Sequence, residues 1–259
     1  MGLSPRAPGP EEDVESLLDL VGACGRPAEG MAKARLCYLA EAIIRWNEAI
    51  NLVSRKDIGR LTSYHFCDSA SVVPIVGWRS GLRVLDVGGS NGLPGLVLAA
   101  LIPEIRLTIC DARQKRRGFL EEVCGSPGAN ERQVSGPETP SPEGRSRRLT
   151  GGAHEPVFDN ALFEMERADS EAFQERHREG FDLILARAVT QMKLLVRWCM
   201  PLLGPGGRLV AYKGSRCADE LGRAEVEVFG HGGAMAAVVA SPWANACNPL
   251  RLFAIAQKG

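Results

Sequence analysis

The run Val84-Leu85-Asp86-Val87-Gly88-Gly89-Ser90-Asn91-Gly92-Leu93-Pro94-Gly95 constrains the fold of this chain more than any other stretch. A short Leu and β-branched segment, Arg83–Val87, carries an acid near its end. A Gly/Pro turn follows, and an apolar helix opens at Gly95. Glycine allows positive φ and close backbone approach, and a helix N-terminus behind such a turn presents free N–H groups. A turn of this kind lies at the carboxyl edge of a parallel sheet, where ligands bind at a topological switch point. The dinucleotide fingerprint GxGxxG does not fit: it would require glycine at Ser90 or at Asn91. A Walker A loop is also excluded, because no Gly-Lys-Ser/Thr follows. Neither a pyrophosphate nor a triphosphate is the natural ligand.

The rest of the chain alternates. Strands are predicted at Arg83–Val87, Ile105–Cys110, Phe158–Met165, Phe181–Ala186, Gly207–Tyr212, Ala234–Ala240 and Arg251–Ala256. Helices are predicted at Gly95–Leu101, Gln114–Val123, Glu171–His177 and Met192–Leu203. Such alternation argues for an α/β fold with a mostly parallel sheet. Ahead of it, Val14–Cys24 places Val14, Leu17, Leu18 and Val21 on one helical face. Met31–Ile50 continues with Leu36, Leu39, Ile43 and Ile44, and Leu61–Val76 reads as a third helix broken near Pro74. The organisation expected is a flexible tail over 1–12, an N-terminal helical cap over 13–80 and a sheet domain over 81–259. Residues 125–156, dense in Gly, Pro, Ser and charge and carrying Arg145, Arg147 and Arg148, are too long for an ordinary α/β loop. They read as a disordered insertion, either a solvated segment or an RNA-touching arm.

Charge narrows the function classes. Lys+Arg and Asp+Glu are both 31 in 259 residues. A uniformly basic nucleic-acid coat is excluded, whereas a local basic patch is not. None of the eight cysteines forms a CxxC pair or has a nearby His at ligand spacing, so reduced thiols and no metal site are expected. No apolar run is long enough for a membrane helix. The N-terminal stretch lacks a basic start followed by an apolar core, so no signal peptide and a cytoplasmic location are expected.

Two acids carry the ligand argument. Asp86 beside the glycine turn suits a ligand with an amino or cationic group. Asp111, which closes the second strand, is placed to accept hydrogen bonds from a ribose diol. S-adenosylmethionine has a ribose and an amino-acid head but no phosphate, so it fits better than a nicotinamide dinucleotide. Helix capping or turn chemistry is the alternative role for both acids.

An ordered series of motifs extends this reading. It runs through Trp46-Asn47, Asn51-Leu52, His65, Asp68-Ser69, the glycine turn, Asp111, Lys115-Arg116, Phe119-Leu120, Phe181-Asp182, Ala186-Arg187-Ala188, Lys213-Gly214 and Glu220-Leu221. The series resembles the ribosomal RNA small subunit methyltransferase G family over about Glu41 to Leu221, apart from the insertion. The resemblance implies a class I Rossmann-like methyltransferase with a seven-stranded sheet, helices on both faces and an N-terminal helical cap. It implies methylation of N7 of a guanine in 16S rRNA, with the rRNA or the small ribosomal subunit as partner and a monomeric enzyme. By residue-to-residue match, Gly88 and Leu93 contact the cofactor, Asp111 holds the ribose, Ala168 and Asp169 border the adenine, and Arg187 is a cofactor-site arginine. Ser90 and Asn91 stand where the family usually carries glycine and a small residue or proline. Tyr64 replaces an arginine before the family's histidine.

Guanine N7 has a lone pair and no proton, so attack on a sulfonium methyl needs in-line positioning and no general base. None is assigned; Arg187 and Lys213 are candidates for contacting phosphate, base edge or cofactor carboxylate, with a salt bridge and a solvated lysine as their respective alternatives. Arg113, Lys115, Arg116 and Arg117 start a helix whose dipole they oppose; an RNA phosphate would offset that, with solvated charges as the alternative. His65 and Trp46 read as packing residues. Two rival functions are open at this level: the same fold acting on another substrate, and a non-catalytic S-adenosylmethionine-binding assembly factor.

Overall fold

The computed structural model describes residues 10–26, 30–125, 157–214, 217–243 and 251–259. Seven strands form one sheet: β1 (Arg83–Val87), β2 (Arg106–Cys110), β3 (Ala161–Glu164), β4 (Phe181–Arg187), β5 (Leu203–Lys213), β6 (Gly233–Ala240) and β7 (Leu252–Lys258). Their order is β3-β2-β1-β4-β5-β7-β6. The first five are mutually parallel, and β7 runs antiparallel to both β5 and β6. The chain reverses direction of travel across the sheet between β1 and β4, which opens a crevice at their carboxyl ends.

Side chains alternate across each strand and build two cores. Val84, Leu107, Leu183 and Val210 face one core, which they share with Leu36, Leu96 and Phe119. Leu85, Ile184, Leu209 and Ala211 face the other, with Phe173, Leu195 and Val228. Helices α1 (Pro10–Ala23), α2 (Ala32–Asn47), α4 (Gly95–Leu101) and α5 (Arg117–Cys124) cover the first face. Helices α6 (Glu171–Arg176), α7 (Met192–Cys199) and α8 (Cys217–Gly230) cover the second. The N-terminal helices therefore share a core with the sheet.

Several local expectations change. Helix α1 starts at Pro10, inside the stretch read as tail, because proline suits a first turn and Glu11, Glu12 and Asp13 favour the positive end of the dipole. The third helix is a π-turn over Leu61–Phe66 followed by the short α3 (Cys67–Ala70), and a chain of turns carries it past Pro74. Helix α8 has no counterpart among the predicted elements, although Leu221, Ala224 and Val228 have helical spacing. The insertion expected at 125–156 lies outside the described residues except for Gly125.

Among the described residues, no helix is long and apolar enough to cross a membrane. No group of three or more His, Cys, Asp or Glu among them is placed to hold a metal.

Candidate active site

The turn after β1 is built around a buried carboxylate. Asp86 is fully buried, and the Gly95 N–H donates to its Oδ2 at 2.7 Å. A Cβ on Gly89 would lie 2.1 Å from that oxygen, and one on Gly95 would lie 2.6 Å from it. The close approach these two glycines allow is therefore to Asp86. Of the two roles open to Asp86, capping the helix after the turn is the one realised; the carboxylate does not line the cleft. Gly89→Ala should cost roughly 1–3 kcal/mol through overpacking, read as a lower Tm together with weaker cofactor binding; an unchanged Tm would contradict this packing.

Burial pushes the Asp86 carboxyl up to about 7 from an ordinary 3.8, only partly opposed by the Gly95 N–H and by Arg187. The folded state thus keeps a proton that the unfolded chain releases near 4. The stability Asp86 contributes is full below that point and is lost as pH rises toward about 7. Asp86→Asn removes this titration, so thermal melts should show the variant gaining on the parent by several degrees between about pH 4 and pH 8. A constant difference across that range would contradict a neutral Asp86.

Asp111 meets the expectation of a carboxylate on the cleft wall. It is 8% exposed, at the carboxyl end of β2. Ser90 Oγ donates to its Oδ2 at 2.5 Å, and the Arg113 N–H donates to its Oδ1 at 2.9 Å. Arg113 Nη1 also reaches Oδ2, at 3.5 Å, whereas Oδ1 retains a second lone pair, so turn chemistry and diol recognition are both available to the same group. A cleft of about 220 Å³ brings Asp111 together with Gly88, Ala168 and Asp169. Gly88 has φ 76°, and its N–H donates to Cys110 O at 2.8 Å. Asp169 is paired with Arg167 at 2.7 Å. Trp198 and Val189 add apolar walls. Sequence reasoning did not single out Trp198; the signal was its place just off the buried stripe Leu195, Val196 and Cys199 of α7.

The other expected contacts lie elsewhere. The Leu93 side chain is buried in the core beneath the turn and is not among the cleft walls. Arg187 is tied into a buried network: its Nε lies 3.0 Å from Asp68 Oδ2, its Nη1 donates to Ser69 Oγ at 3.0 Å, and its Nη2 donates to His65 Nδ1 at 2.7 Å. Asp68 also receives both arms of Arg251, at 2.7 and 2.8 Å. This is the salt-bridge alternative, and Arg187 lines no part of the cleft. Lys213 Nζ donates to Thr190 O at 2.9 Å and to Glu220 at 2.7 Å, which makes it neither a solvated lysine nor an open RNA contact.

The four cations at the start of α5 separate. Arg113 and Lys115 are exposed, and Arg117 pairs with Glu121 at 2.9 Å. Arg116 is only 9% exposed; its Nη1 donates to Ser90 Oγ at 3.3 Å and its Nη2 to Asn51 O at 3.0 Å. Nearness in sequence placed these side chains on one patch, but helical phase turns Arg116 inward.

His65 and Trp46 pack, as expected. Burial, then the Arg187 guanidinium, lowers His65 to about 4, and its Nδ1 is occupied as an acceptor. Trp46 meets Phe119 edge-on at 6.4 Å and donates to Glu122 at 2.8 Å.

The chain is similar to known proteins. The family model of rRNA small subunit methyltransferase G matches residues 32–134 and 158–243, breaking within the stretch read as an insertion. A Ribosomal RNA small subunit methyltransferase G from Symbiobacterium thermophilum is 35% identical over 204 residues, which cover 79% of this chain and 73% of that protein. One of the same name from Ralstonia nicotianae is 30% identical over 207 residues, covering 78% of each. Among solved structures, a TehB-like SAM-dependent methyltransferase from Corynebacterium glutamicum superposes with TM-score 0.50 at 14% identity, covering 86% of this chain and 99% of that one. With a family match over most of its length and relatives at this identity, the chain belongs to the rRNA small subunit methyltransferase G family.

Proposed function

We propose that this protein is a cytoplasmic, monomeric enzyme that transfers a methyl group from S-adenosylmethionine to N7 of a guanine in 16S rRNA. The observation that carries the reading is the Asp111 carboxylate on the wall of a cleft at the β1/β4 switch point, beside the positive-φ Gly88. The residues suit the cofactor: an acid on the cleft wall whose Oδ1 keeps a lone pair for a ribose hydroxyl, and apolar surface from Ala168, Val189 and Trp198 for a purine. S-adenosylmethionine supplies, when bound, a sulfonium methyl open to nucleophilic attack. Asp111 would hold the ribose, Gly88 would let the backbone approach the ligand, and Ala168 and Asp169 would border the adenine.

Guanine N7 needs no deprotonation before it attacks, so the chain's task is to hold donor and acceptor in line and to exclude water. The state of His65 suits this chemistry: it is half-buried, held neutral, and its Nδ1 accepts a hydrogen bond from Arg187, so it is not poised as a base. Exposed Arg113 and Lys115, beside Asp111, lie where RNA would approach.

The test is incubation of the protein and S-adenosylmethionine with small ribosomal subunits lacking the modification, followed by nucleoside analysis of the 16S rRNA. N7-methylguanosine at one position is expected. Its absence, with cofactor binding intact, would favour an assembly factor. Methylation of a different acceptor would reassign the substrate.

A further inference from the structure

The motif Asn47…Asn51-Leu52 takes no part in the cofactor cleft, yet it builds a second concavity. Asn47 is buried, and its Oδ1 accepts from the N–H groups of Leu52 and Val53 at 2.9 and 3.0 Å. The Asn91 side chain donates to Leu52 O at 3.2 Å. The chain from Asn51 to Arg55 is thereby held in one shape. It forms most of the wall of an open basin of about 680 Å³, and Arg116 completes that wall.

The chemistry of the basin is one-sided. Arg116 is more than nine-tenths buried and has no ion pair among the described residues; two of its N–H groups are used by neutral oxygens, and its buried Nε has no partner. Arg55, which lines the same basin, is exposed and carries no ion pair among the described residues. Lys56, also exposed, follows directly. Asp111 reaches Arg116 only through Ser90, and a buried guanidinium without a direct carboxylate partner is stabilised by an added anion. Its planar fork matches tetrahedral phosphate oxygens.

We infer that this basin is a binding site for a backbone phosphodiester of the RNA strand, held between Arg116 and Arg55. The site rests on the rRNA reading above and gives the substrate a fixed foothold. Ser90 joins it to the cofactor side, because it accepts from Arg116 and donates to Asp111. A preformed, charged wall beside the cofactor cleft would set the register of the strand, as phosphate contacts commonly do.

The experiment measures binding of deproteinised 16S rRNA to the full-length parent, Arg55→Gln, Arg116→Gln and, as a control at the opposite edge of the sheet, Arg208→Gln, each across a salt series. Arg55→Gln and Arg116→Gln should each bind about 5- to 20-fold more weakly, with the salt slope reduced by about 1. Arg208→Gln should match the parent. Arg55 is exposed, so its variant tests the site even if Arg116→Gln fails to fold, and S-adenosylhomocysteine titration checks that both variants keep the cofactor cleft. A parent that binds rRNA while both variants match it in affinity and slope would overturn the site. Inorganic phosphate that binds the parent but not Arg55→Gln in calorimetry, while both variants bind rRNA as tightly as the parent, would assign the basin to a free anion and overturn the RNA assignment. A parent that neither binds nor methylates rRNA would instead sink the underlying reading.

Discussion

Asp111→Ala should weaken binding of S-adenosylhomocysteine by roughly 100-fold. A ribose diol would donate two hydrogen bonds to this carboxylate, and a hydrogen bond to a charged group contributes about 1.5–3 kcal/mol. Loss of both would exceed 3 kcal/mol, offset in part by release of the ligand's ordering entropy. The variant also removes the acceptor of Ser90 Oγ and of the Arg113 N–H. Asp111→Asn separates the two effects. It keeps an acceptor oxygen for the turn but lowers the charge, and should bind about 10-fold more weakly than the parent. Calorimetric titration at a temperature where all three proteins are folded reads the ladder. Parent-like affinity in Asp111→Ala would remove the cofactor assignment from this cleft. Ser90→Ala should fall between the parent and Asp111→Asn, since it loosens the carboxylate without removing it.

The second large effect concerns stability. Asp68 is fully buried and serves two arginines, Arg187 and Arg251. Asp68→Ala would leave both guanidinium groups inside the protein without their carboxylate. Breaking a buried pair from one side costs about 3–5 kcal/mol, which for a chain of this size is a fall in Tm on the order of 10 °C. Asp68→Asn keeps the acceptor oxygen and should lose less. Because Arg187 lies outside the cleft walls, folded Asp68→Asn should bind the cofactor within about 3-fold of the parent. A loss of cofactor binding in Arg187→Leu larger than its loss of stability would return Arg187 to the role implied by the family resemblance.

Much of the sheet was legible because burial on a strand or helix follows a local period. Arg83–Val87 is predicted with the observed bounds, and the other six strands are placed to within a few residues of their ends. The largest difference is at β5, predicted from Gly207: Leu203 already pairs with Phe181 of β4, and the register then shifts before resuming at Leu183 and Arg208. Helix α8 was overlooked because Val226 and Phe229 are apolar yet exposed, which blurs its stripe of Leu221, Ala224 and Val228. Arg55 lies between the predicted helices Met31–Ile50 and Leu61–Val76, with no local pattern to mark it as a wall.

The cleft divides along the same physical line. Gly88, Asp111, Ala168 and Asp169 follow strand ends at one edge of the sheet, and strand succession alone brings such residues together. Which cation faces outward is decided by partners far away in the chain. Arg251 meets Asp68 across 183 residues, Arg187 meets Ser69 across 118, and Arg116 meets Asn51 across 65. Periodicity therefore determined the α/β architecture and the position of the ligand edge, because hydrophobic burial repeats every two residues in a strand and every three or four in a helix. Only the tertiary structure decided the roles of Asp86, Arg116, Arg187 and Lys213, because a charged side chain takes its lowest free energy from whichever opposite charge or polar oxygen the finished fold places beside it.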